Sequence, residues 1–223
     1  MTAITRAAAA AERAHHVRQR ADRPSQRRSA EPAGARATVR AALSGIQVRE
    51  AGDGGGLLEF SGHASVYEAG YEMWDMFGPY NEIVSAGAGT DSLARADLDV
   101  PLVLGHDQLR RLARTTTGTL TLAEDGTGLS VLAPALDPAD HDVAYIAPKL
   151  RSGLIDEMSF AFRIESGQWS PDYSEYRINR YDIHRGDVAI VGFGANPYTG
   201  AAVRALAAAP SRARALLEIA LNR

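Results

Sequence analysis

The sequence predicts an α+β fold with a β-rich, barrel-like body, and three observations carry that expectation. Short apolar runs with period-two alternation recur through the middle of the chain, each bounded by turn-forming residues. Helical spacing is confined to an Ala-rich front segment, a stretch at 139–151 and the tail. Apolar residues make up 45% of the 223, enough for one core of ordinary size, and no internal repeat divides them.

Taken in order, the elements begin with an unusual front. Residues 1–42 hold nine arginines against Glu12, Asp22 and Glu31, a net charge of +6 that leaves −9 for the rest. This segment has no aromatic residue and can bury little. A helix fraying over about 3–20 and then a flexible linker are expected. Such an arm is an interaction tail for an acidic partner or nucleic acid, or a solvated extension open to processing. From residue 43 the pattern changes. Ile46 to Glu50 and Leu57 to Glu68 read as strands joined by the turn chemistry of AGDGGG. Residues 71–89 read as irregular and aromatic-rich, and GTDSLARA as a short helix capped by Thr90 or Asp91. LDVPLVLGHD is a strand ending at Gly105-His106, and ARTTTGTLTLAED a Thr-rich strand. EDGTGL is a turn answered by the strand LSVLAPAL. In the 139–151 helix Val143, Ile146 and Leu150 share one side, Pro148 weakens the middle and Gly153 ends it. IDEMSFAFRI, EYRINRYDIH and DVAIVGFGAN are three further strands. The chain thus divides into a flexible arm (1–42), a folded body (43–200) and a helical tail (201–223) interrupted at Pro210.

Several chemistries are excluded. The absence of cysteine removes disulfides, thiol catalysis, Cys-ligated zinc and iron–sulfur clusters. No GxSxG, HExxH or Walker-type glycine loop occurs. No apolar run of about 18 residues predicts a membrane span, and the opening stretch lacks the apolar core of a secretory signal. The net charge of −3 argues against overall affinity for nucleic acid. A nucleophile, if there is one, is Ser, Thr or a carboxylate.

Three residues invite chemistry. His106 follows the apolar strand VPLVLG, where side chains emerge from a core, and is otherwise a turn histidine. In EMSFAF, alternation places Met158, Phe160 and Phe162 on one face and Ser159, Ala161 and Arg163 on the other. Ser159 is then either a nucleophile or a small hydroxyl on a half-exposed strand. Asp187 opens DVAIVGFG and could merely end a turn after Arg185-Gly186. No spacing joins the three, because triad members meet in space. A metal site from His63, His106 and His141 is a further alternative, although no two of these share an i, i+3 or i, i+4 spacing.

The ordered fragments FSGHASVYEAG, EIVSAGAG, PLVLGHD, LTLAEDGTGLSVLAPAL, LRSGLIDEMSFAFRI and DVAIVGFGANPYT, over roughly 57–200, resemble the prohead (capsid maturation) proteases of tailed phages. These are serine peptidases related in fold to herpesvirus assemblin. The "L-x-x-H-D" strand end, the "E-D-x-x-G-L" hairpin and the "M-S-F-x-F" strand carry most of the likeness. Ser85 to Gly89 departs from the family by lacking its Pro and Phe, and Asp187 stands where Glu is usual. The resemblance implies Ser159 as nucleophile, His106 as general base and Asp187 as third member, with His184 competing for that last role. It implies cleavage of the capsid precursor or its scaffold segment, and of the protease itself. It also implies a location inside the immature capsid in the host cytoplasm and self-association. No cofactor, metal, nucleic acid or membrane is required. The rival reading is a non-catalytic assembly or scaffolding protein that kept the fold.

Overall fold

A computed structural model of the chain describes residues 4–25 and 56–192 and, as backbone, two strands at 37–42 and 47–50. Helix α1 (Arg6–His16) is followed by strands β1 (Ala37–Ala42), β2 (Gln47–Glu50), β3 (Leu58–Val66), β4 (Tyr71–Asp75) and β5 (Gly78–Val84). Helix α2 (Thr90–Leu93), β6 (Pro101–Leu104), β7 (Asp107–Arg114), β8 (Thr121–Glu124) and β9 (Gly128–Leu136) come next. Helix α3 (His141–Arg151), β10 (Glu157–Trp169) and β11 (Glu175–Val191) complete the described set. The fold is α+β and mostly strand.

The long β10–β11 hairpin organises the larger sheet. β1 pairs with β10, so the order runs β1-β10-β11-β5-β4, and β11 also pairs with β6, which pairs with β7. β11 changes partner along its length. Glu175 to Ile178 run parallel to Asn81 to Val84 of β5, whereas Val188 to Ile190 run parallel to Leu102 to Leu104 of β6. The smaller sheet, β2-β3-β9-β8, is antiparallel. Its strand β3 packs against β10 and β1. Neither sheet closes, so the expected barrel is corrected to two packed open sheets. A strand that serves two partners in succession forks its sheet instead of bending it round to a single seam.

The core between the layers is aromatic. Phe60, Tyr80, Phe160, Phe162, Trp169, Tyr176 and Tyr181 are all inaccessible to solvent, each burial worth about 1.5–3 kcal/mol for a large apolar side chain. Phe160 and Phe162 stack at 4.2 Å, and Tyr181 meets both edge-on. Helix α3 follows its expected pattern: Val143, Ile146, Ala147 and Leu150 are buried, and Asp140 caps the N-terminus by accepting from the Asp142 and Val143 N–H groups.

Four expectations change. Residues 71–84 form the regular β4–β5 hairpin, because Asp75 Oδ1 accepts the Phe77 and Gly78 N–H groups and closes the turn. The cap of α2 is the Gly89 backbone with no side-chain bond; the Thr90 hydroxyl donates to Gly87 O and Glu124. The Thr-rich strand divides at a 3-10 turn, Thr115–Thr117, between β7 and β8. The last two strand candidates are one strand, β11.

The arm also differs from its expectation. Helix α1, with Thr5 as N-cap, is docked on β5. Its Arg13 is fully buried: Nε donates to Asp75 Oδ2 at 2.7 Å, Nη2 to Asp75 Oδ1 at 3.0 Å, and further bonds reach the carbonyls of Gly78, Pro79 and Tyr173. The guanidinium also lies over the Tyr80 and Trp169 rings. Downstream, Trp169 N–H donates to Arg20 O and Met76 N–H to Ser25 O. Of the expected linker, residues 37–42 are instead the strand β1 on β10; its residues 26–36, the junction 43–46, most of the expected turn (51–55), the end of the body (193–200) and the helical tail 201–223 lie outside the described residues.

Candidate active site

Three strands bring the sequence-predicted residues together. In the β10–β11 ladder Ser159 stands opposite Ala189, and Ala161 opposite Asp187. Alternation puts all four on one face, away from Met158, Phe160, Val188 and Ile190, which enter the main core. Ser159 and Asp187 are therefore diagonal neighbours. The alanines at 161 and 189 leave the space between and beside them open for a ring.

That ring is His106. β6 and β7 are joined by the two-residue turn Gly105-His106, whose φ values are +61° and +63°. Two left-handed central residues make a type I′ turn, whose twist suits a hairpin. Histidine is among the few residues other than glycine enriched in that region. Because β6 lies beside β11, and Gly105 N–H donates to Ile190 O, the turn is anchored at the level of the site. His106 Nδ1 is 2.6 Å from Asp187 Oδ1, and its Nε2 is 2.8 Å from Ser159 Oγ. An ionised carboxylate only accepts, so Nδ1 carries the proton and Nε2 is left to accept from the serine hydroxyl. Ser159 is wholly buried, Asp187 nearly so, and the imidazole 19% exposed. The arrangement is a buried hydroxyl, an imidazole with one open edge, and a desolvated carboxylate behind it.

His184 is directed elsewhere. A register shift in the β10–β11 ladder sets the four residues Ile183 to Gly186 against the single residue Phe162, between the pairs Asp182–Arg163 and Asp187–Ala161. This bulge is tied to the segment before β6: Asp99 N–H donates to His184 Nδ1, and Arg185 N–H donates to Asp99 O. The Asp99 carboxyl is gripped by Arg114 in two 2.7 Å bonds, and that guanidinium holds it below the usual carboxylate range. The bulge is also where β11 exchanges β5 for β6, and it resets Asp187 onto the serine's face. It depends on Gly186, where a Cβ would lie 1.9 Å from Ala161 O and 2.8 Å from Ile183 O. Both are backbone atoms, so neither can swing away. Gly186→Ala is expected to destabilise by about 1–3 kcal/mol, read as a lowered urea midpoint; a wild-type midpoint would mean that the bulge relaxes without cost.

The Glu124-Asp125 motif is structural in this geometry. Glu124 accepts from Tyr67 Oη, Gly89 N–H and Thr90 Oγ1, and Tyr67 Oη meets Tyr181 Oη at 3.0 Å. Burial first, and the neighbouring phenol and Glu124 next, push the Tyr67 hydroxyl far up; burial does the same to Tyr181. Both remain protonated donors. Asp125 is exposed, and the slight desolvation of its carboxyl would raise it. The Gly128 and Thr127 N–H groups and His63 outweigh that and hold it low. The alternative metal trio is not assembled: His63 is turned to Asp125, His106 has both nitrogens engaged, and His141 begins α3. Among the described residues no group of three or more His, Asp or Glu side chains could hold a metal ion.

One polar neighbour escaped the sequence reading. Gln108 Nε2 donates to Asp187 Oδ2 at 2.7 Å. Its position two residues after His106 was the available signal.

A family model described as Caudovirus prohead serine protease matches residues 44–212, about three quarters of the chain. No curated protein and no solved structure gives a significant match.

Proposed function

Because the chain belongs to the Caudovirus prohead serine protease family, we propose that it cleaves the capsid precursor or its scaffold segment, using Ser159 as nucleophile, His106 as general base and Asp187 as the group that orients the base. The observation that carries this reading is the unbroken Ser159–His106–Asp187 hydrogen-bond chain, contributed by two neighbouring strands and the β6–β7 turn.

In the proposed reaction Ser159 Oγ attacks the carbonyl carbon of the scissile peptide while His106 Nε2 takes the hydroxyl proton. The proton passes to the leaving amine as the C–N bond breaks, leaving an acyl ester on Ser159. Water then attacks the ester, giving its proton to the same nitrogen, and the serine is restored. Asp187 keeps the imidazole in the tautomer that accepts from serine and stabilises the imidazolium formed in each transition state. Its low exposure keeps that interaction from being diluted by water.

The enzyme acts within the immature capsid, in the host cytoplasm, on capsid precursor chains and on itself, and self-association assists it. Co-expression with the cognate capsid precursor, followed by intact-mass analysis, tests the proposal. The expected product is a precursor shortened at a defined peptide bond. A serine-directed fluorophosphonate probe should modify the peptide that contains Ser159. An uncut precursor together with an unlabelled protein would overturn the proposal and favour the non-catalytic assembly reading, which the departure at Ser85 to Gly89 keeps in view.

A further inference from the structure

We propose that Gln108 is a positioning residue that holds Asp187 in the orientation from which it directs His106. The inference rests on the roles proposed above for Ser159, His106 and Asp187.

The two oxygens of Asp187 have different partners: Oδ1 faces His106 Nδ1, and Oδ2 receives Gln108 Nε2–H at 2.7 Å. A carboxylate bonded at one oxygen can still turn about its last bond. Bonded at both, its plane is fixed, and with it the direction in which the imidazole is drawn. The amide is itself oriented. Arg111, anchored by an Nε bond to the Gln108 backbone carbonyl at 2.8 Å, points a terminal nitrogen toward Gln108 Oε1 at 3.4 Å. A donor beside Oε1 and an acceptor beside Nε2 leave one consistent assignment of the amide. The same cation polarises the amide and strengthens its N–H as a donor.

The backbone explains why this side chain reaches β11. In the β6–β7 ladder Leu104 pairs with Asp107, but the next β6 residue, Val103, pairs with Arg111. Gln108, Leu109 and Arg110 are therefore extra to the ladder and project as an excursion beside the turn that bears His106. The excursion is braced: Leu109 N–H donates to Asp107 Oδ1, and Arg110 is bonded to Asp142 on α3. A residue on a loose loop would hold Asp187 poorly, but Gln108 stands on a pinned one.

The test measures covalent labelling of the full-length protein by a fluorophosphonate, resolved into the maximal rate of inactivation and the half-saturating probe concentration. Wild type, Gln108→Ala, Gln108→Glu and Ser159→Ala are compared. Loss of a hydrogen bond to a charged group is expected to slow the maximal rate about tenfold in Gln108→Ala, with half-saturation unchanged. Gln108→Glu keeps the shape but replaces the donor with a carboxylate facing Asp187, so it should lose at least as much. A packing role would reverse that order, since the glutamate fills the space that alanine vacates. Wild-type rates in Gln108→Glu, with Ser159→Ala unlabelled, would overturn the positioning role alone. Undiminished labelling of Ser159→Ala would instead overturn the site assignment beneath it.

Discussion

Ser159→Ala should stop precursor processing and leave the protein folded. Triad serine peptidases lose about 10⁶-fold in turnover when the serine is removed, because the other members have nothing to activate. The change takes one buried oxygen and introduces no bulk, so the thermal midpoint should move by only a few degrees. Asp187→Asn is the sharper probe. An amide at Oδ1 or Nδ2 cannot both accept the His106 Nδ1 proton and keep the donor from Gln108 satisfied, and the wrong tautomer leaves serine without a base. A loss of about 10⁴-fold is expected by analogy with other triads. His184→Ala should stay within a few-fold of wild type, because His184 Nδ1 serves the Asp99 N–H in the bulge and not the serine. Rates of precursor cleavage on the three variants decide the matter. A greater loss in His184→Ala than in Asp187→Asn would transfer the third role to His184.

Arg13→Ala should release the N-terminal helix. Removing one partner of a buried ion pair leaves the other charge uncompensated, at a cost of about 3–5 kcal/mol. Here Asp75 keeps the Phe77 and Gly78 N–H bonds, so the lower end applies. The three carbonyls that Arg13 satisfies would lose a partner as well. A local cost of about 3 kcal/mol accelerates amide exchange in α1 by about two orders of magnitude, provided that opening is local. Serine labelling should be unaffected. Trp169, against which Arg13 lies, is ten residues along β10 from Ser159, about 30 Å at strand rise. Hydrogen exchange followed by mass spectrometry reads the effect. Undiminished protection of α1 would show that the socket contributes little to docking.

These two sites were unequally legible in the sequence. Alternation in EMSFAF was sufficient to turn Ser159 away from Phe160, since a strand has only two faces. The 139–151 helix was legible because its apolar side is local. The meeting of Ser159, His106 and Asp187 was not contained in any spacing and entered through family resemblance. The choice between Asp187 and His184 turns on the bulge at Ile183 to Gly186. That bulge is set by Asp99 and Ala161, residues remote in sequence. Arg13 was hidden for a related reason. Apolar patterning reports burial of carbon, and Arg13 is buried by aromatic faces, carbonyls and a carboxylate brought from 62 to 160 residues away. The β4–β5 hairpin was missed because Met76-Phe77 carries no turn signal; the Asp75 carboxylate supplies what a glycine or asparagine would. Closure of the sheets depends on strand order, to which periodicity is blind.

The left-handed backbone at Gly105-His106 bears on how this histidine can be interrogated. An alanine at 106 would change two things together, deleting the imidazole and placing a residue poorly suited to positive φ in the second seat of the turn. Lost activity could then come from a hairpin that shifts its register as readily as from a missing base. Asparagine tolerates the same backbone region while offering no proton acceptor of comparable strength. His106→Asn is thus the exchange that separates chemistry from conformation, and His106→Gly, with its hairpin geometry retained and its side chain absent, is the natural host for rescue by added imidazole.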